Sequence, residues 1–86
     1  MARIKTFIEV ASTGGPHPTE TDAHWSVVNG PGSRLLQIST LGSAKRQSPL
    51  KVSQTIQIDR STAALLIRAL EIAFPGILEA ARPSVQ

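Results

Sequence analysis

The chain has no cysteine and no tyrosine, and only one tryptophan and two phenylalanines in 86 residues. Without cysteine, neither a disulfide nor a thiolate metal site stabilises so small a domain. A chain of this length buries only about 60–65% of its unfolded surface, so a monomer's core is thin. An economical fold or a second copy of the chain has to supply the rest. Long apolar runs are missing too. Residues 7–11 form the longest in the first twenty, and Glu9 interrupts them, which leaves no signal-peptide core. Nothing approaches the roughly eighteen apolar residues of a membrane span. The expectation is therefore a cytoplasmic protein without a membrane partner. Charged residues make up 17% of the chain and hydrophobic ones 41%, which is too apolar for a disordered segment.

The few charges are unevenly placed. Residues 1–33 carry a net −1 and residues 61–86 a net zero, whereas residues 34–60 carry +4. Arg34, Lys45, Arg46, Lys51 and Arg60 supply that excess against the single carboxylate of Asp59. A basic middle permits an anionic partner.

Four extended segments and one helix are legible. Ile4, Ile8 and Val10 alternate with polar residues, which predicts a half-buried first strand over residues 4–10. Gly14, Gly15, Pro16 and Pro18 make residues 11–22 a loop. Residues 24–28 and 34–41 read as a hairpin joined through Asn29-Gly30-Pro31-Gly32, where the glycines are free to adopt positive φ. Residues 52–58 alternate almost perfectly, with Val52, Gln54, Ile56 and Ile58 on one side and Ser53, Thr55 and Gln57 on the other. Asp59 is placed to cap a helix, and Ala63, Leu66, Ile67, Leu70, Phe74 and Ile77 follow helical spacing as its core stripe. Arg68 and Glu71 are spaced to pair on its outer side, Pro75-Gly76 ends it, and residues 77–81 add one more turn. The expected architecture is α+β: a four-stranded antiparallel sheet with one C-terminal helix packed on one face, in the order ββββα. Residues 1–82 form a single domain in this view, and 83–86 a frayed tail.

No catalytic constellation emerges. His17 and His24 are the only histidines, too few for a convergent metal site. No serine sits in a nucleophile elbow, and Gly30-Pro31-Gly32 lacks the spacing and following helix of a phosphate-cradling loop. The expectation is a non-enzyme without cofactor, metal or small-molecule substrate.

What remains is a surface. Lys45, Arg46 and Lys51, with Arg34 and Arg60, lie beside a strand face carrying Ser53, Thr55 and Gln57, with Gln37 and Ser39 on the neighbouring strand. Cations at a groove edge contact phosphates, and hydroxyls and amides reach phosphate, sugar or base. Leu65 and Ile72 form an extra apolar row off the helix stripe, and with Trp25 they read as anchors of a dimer interface.

The segment from Lys45-Arg46-Gln47-Ser48-Pro49-Leu50-Lys51 into the fourth strand and the Asp59 helix start resembles the positive-cofactor-four family of transcriptional coactivators. Whirly and Pur-type domains are similar in layout. The resemblance covers roughly residues 33–74, with Pro49 and Lys51 at the family's proline and lysine positions. Leu50 stands where the family has glycine, and the helix lacks the family's tryptophan. The resemblance implies homodimers joined through the helix and sheet edges, and binding of single-stranded or melted DNA. The first expectation is thus a homodimer that binds nucleic acid, single strands preferred. The alternative is a non-catalytic interaction module or regulator docking on a larger protein.

Overall fold

The structure, a computed structural model, describes residues 1–42 and 52–83, apart from the side chain of Ser53. Strand β1 (Ala2–Arg3), β2 (Ala23–Gly30), β3 (Ser33–Leu41) and β4 (Val52–Ile58) precede helix α1 (Arg60–Ala73) and the short helix α2 (Ile77–Ala80). The strands form one sheet in the order β1-β4-β3-β2.

The hairpin and the last strand lie where alternation places them. Pro31 and Gly32 make a two-residue turn between β2 and β3, with Gly32 at φ 69°, the arrangement of a type II turn. Gly30 stays in β2 and does not need its freedom. The antiparallel registers align Trp25, Ile38 and Ile56 in one row and Val27, Leu36 and Ile58 in the next, all on one face. His24, Ser39 and Thr55, then Ser26, Gln37 and Gln57, form the matching rows on the other face. A register shift at Thr40/Leu41 ends the regular pairing of β3 with β4.

Three expectations are corrected. The sheet is mixed, because β1 pairs parallel to β4, with Ala2 opposite Ile56 and Arg3 opposite Gln57. The first strand is also not residues 4–10. Pairing ends as the Ile4 amide donates to the Gln57 carbonyl at 2.9 Å, and residues 7–10 instead run beside α1, near Leu65, Ala69 and Ile72. Alternation marks a segment with one apolar side; here Ile8 and Val10 of that side stay exposed along a groove shared with α1.

The third correction concerns the helix. There are two helices, since Pro75 and Gly76 (φ 88°) separate α1 from a single further turn. Asp59 caps α1 as expected, accepting the Thr62 amide at 2.9 Å. Yet α1 does not cover the sheet. Its first turn borders, through Arg60 and Ala63, a cavity shared with Val27, Leu36 and Ile58, and beyond it Leu65, Ile67, Leu70, Ile72 and Phe74 are exposed. Asp59 alone links β4 to α1, in extended conformation (φ −87°, ψ 178°). One residue leaves no room for the reversal needed to lay a helix back across its own sheet. The anticipated Arg68–Glu71 pair is absent too: Glu71 turns toward the chain end and accepts the Gly76 amide at 3.1 Å, supporting the break between the helices.

The core is accordingly small. Among the described residues, Leu41 and Ile58 are the buried apolar side chains, Ile58 at 3% exposure. No helix is long and apolar enough to cross a membrane among the described residues.

Candidate nucleic-acid interface

The polar face is knit together by its own side chains. The Ser39 and Thr55 hydroxyls lie 3.0 Å apart, both buried. One row along, Gln57 Nε2 donates to Gln37 Oε1 at 2.9 Å. The register makes these pairs directly opposite neighbours on β3 and β4, so small hydroxyls and long amides meet their own kind across the strands. That bond leaves the Gln37 amide N–H groups and the Gln57 carbonyl oxygen outside the pair, on two half-buried side chains. His24 and Ser26, exposed on β2, extend the two rows. Thr55 is thus committed to Ser39 and orients the row, while Gln57 offers a contact.

The cations fall elsewhere. Arg34 shares the face of Leu36 and Ile38, opposite Gln37 and Ser39. With Arg60, the first residue of α1, it borders a cavity of about 350 Å³ whose floor includes Leu36 and Ile58. The structure brings Arg34 and Arg60 together, but on the side of the sheet away from Thr55 and Gln57. Lys45, Arg46 and Lys51 lie outside the described residues, and so does the Ser53 side chain on β4.

Asp59 shows how the remaining charge is used. Hydrogen bonds from the Thr62 amide and hydroxyl, with a smaller contribution from Arg3, hold its carboxyl below the usual aspartate range, against a weaker opposing effect of desolvation. Arg3 Nη2 stands 3.6 Å from Asp59 Oδ2, so the parallel strand also supplies a counter-charge to the cap. Sequence inspection missed this pair, because only the β1–β4 register brings residues 3 and 59 together.

The anticipated dimer residues occupy two separate surfaces. Trp25 projects from β2 at 72% exposure. Leu65 and Ile72 flank a half-open groove of about 500 Å³ between α1 and residues 7–10, with Arg68 on its wall. Among the described residues, no three His, Asp or Glu side chains converge as metal ligands would.

Comparison of the chain with protein-family models, curated proteins and solved structures finds no match. Function is therefore read from the chemistry of the chain itself.

Proposed function

We propose that the protein is a homodimer that binds nucleic acid, single strands in preference to duplex, through the cations of residues 45–51 and the polar face of the sheet. The observation that carries this is the Gln37–Gln57 pair beside the Ser39–Thr55 pair. Together they make an ordered polar patch across β3 and β4, and Lys51 directly precedes β4 in the sequence. Helix α1 departs on the other face, where Ala63 borders a cavity with Val27 and Ile58. Single strands suit such a surface, since their bases present edges that a duplex keeps paired. The resemblance to the positive-cofactor-four family points the same way.

A second copy is supported by area. The chain exposes 7763 Å². A folded monomer of this mass exposes about 4,900 Å², so each chain carries more surface than a compact fold of its size, whereas an obligate dimer buries roughly 1,000–2,500 Å² per partner.

Titration of labelled single-stranded and duplex oligonucleotides at two salt concentrations tests the nucleic-acid part. The expected result is tighter single-strand binding that weakens by about 0.7 log units per log unit of salt for each phosphate neutralised. Replacing Lys45, Arg46 and Lys51 together with Ala is expected to abolish it without changing stability, because exposed charges contribute little to folding. Binding weaker than millimolar at low salt to every oligonucleotide would overturn it. The exposed Leu65, Ile67, Leu70 and Phe74 favour a second reading, a module that docks on another protein, and that reading would then lead.

A further inference from the structure

The two edges of the sheet are built differently. β1 closes one edge with two residues. β2 forms the other, eight residues long, and among the described residues pairs only with β3. Folded proteins blunt such edges with lysine, proline, a bulge or an inward-pointing charge. The β2 sequence Ala-His-Trp-Ser-Val-Val-Asn-Gly contains no lysine, proline or carboxylate, and its ladder with β3 runs without a register shift. An unprotected edge of this length is a template for another strand.

We infer that β2 is where two copies of the chain join, edge to edge and antiparallel, about a two-fold axis at Ser26. The proposal rests on the homodimer reading and specifies its interface. Gly30 and Ser33 flank the two-residue turn and so form a hydrogen-bonded pair. By alternation Val28, Ser26 and His24 bond inward to β3, while Ala23, Trp25, Val27 and Asn29 direct their amides and carbonyls outward. Opposed residues must share a face, and only a pairing of outward residue with outward residue makes bonds. The register that uses all four sets Trp25 against Val27 of the second copy and Ala23 against Asn29. Shifts by one pair in either direction use three. In this register the two Trp25–Val27 contacts are aromatic on β-branched, a favourable cross-strand combination. They lie on the apolar face and continue the rows Trp25–Ile38–Ile56 and Val27–Leu36–Ile58 from one sheet into the next. The 72% exposure of Trp25 and the 43% exposure of Val27 are thereby accounted for.

The test uses the absence of native cysteine. Ser26→Cys places a single thiol on the axis, at a non-hydrogen-bonded pair whose Cα separation of about 4.5 Å suits a disulfide. Mild oxidation of the full chain is expected to give near-complete covalent dimer, whereas Ala80→Cys on α2 gives none. Val27→Pro removes an outward amide but no bond to β3, so sedimentation is expected to show a monomer with wild-type circular dichroism. A dimer that persists in Val27→Pro, with no cross-linking of Ser26→Cys, would overturn the edge pairing and leave the homodimer reading in place on another surface. A wild type that stays monomeric at all concentrations would overturn both. Oligonucleotide titration of Val27→Pro reports separately on nucleic-acid binding.

Discussion

The two faces of the sheet satisfy themselves in opposite ways. On the polar face, side chains that water would accept readily are paired and partly buried, as Ser39 is with Thr55. On the apolar face, side chains that water disfavours are left open, as Trp25 and Ile56 are. A self-sufficient monomer would show the reverse. The difference teaches that the helix of this chain is no lid for its own sheet, and that the apolar side stays open in the single chain.

The largest expected effect sharpens that contrast within one face. Ile58→Ala removes a side chain at 3% exposure and is expected to cost about 2–5 kcal/mol at any protein concentration. Leu70→Ala, exposed on α1, is expected to cost less than about 0.5 kcal/mol in dilute monomer. Equal costs in urea titrations at low concentration would show that α1 covers the sheet after all. Next comes the polar face. Ser39→Ala leaves the buried Thr55 hydroxyl unpaired, for about 1–3 kcal/mol, while Ser39→Ala with Thr55→Val is expected to recover most of the loss. Additive losses in that double-mutant cycle would break the comparison, since the polar face would then owe nothing to its internal pairing.

The smallest effect is one of pH. Asp59 titrates below its unfolded value, about 3.9, so its stabilising contribution is present above that pH and lost as pH falls through the depressed native value. Wild type is expected to lose urea midpoint below about pH 4 more steeply than Asp59→Asn, which keeps a cap without the titration. Identical slopes would remove Asp59 from the account of acid stability.

Local signals were the readable part of the chain. Alternation located β3 and β4, Pro31-Gly32 located the hairpin, and Asp59 located the start of α1, each through interactions within a few residues. Residues 4–10 misled because alternation alone does not make a strand: past Ile4 they leave the sheet and line a groove with α1, Ile8 and Val10 staying exposed. The parallel β1 was invisible for a related reason: Ala2 and Arg3 bear no strand signal of their own and pair with β4 through backbone alone. For the candidate interface, alternation on β4 correctly separated Thr55 and Gln57 from Ile56 and Ile58. That Arg34 lies across the sheet from them follows only from the register of β2 with β3 and β3 with β4.

Trp25 has an optical consequence. It is the sole tryptophan, there is no tyrosine, and it stands in water in the folded chain. Emission excited at the red edge of the absorption band comes from this one indole, already solvated before any unfolding. Denaturation of isolated chains is therefore nearly silent in wavelength, while any event that covers the β2 edge shifts the band to the blue. Fluorescence would therefore report burial of the β2 edge, and folding has to be followed by other means.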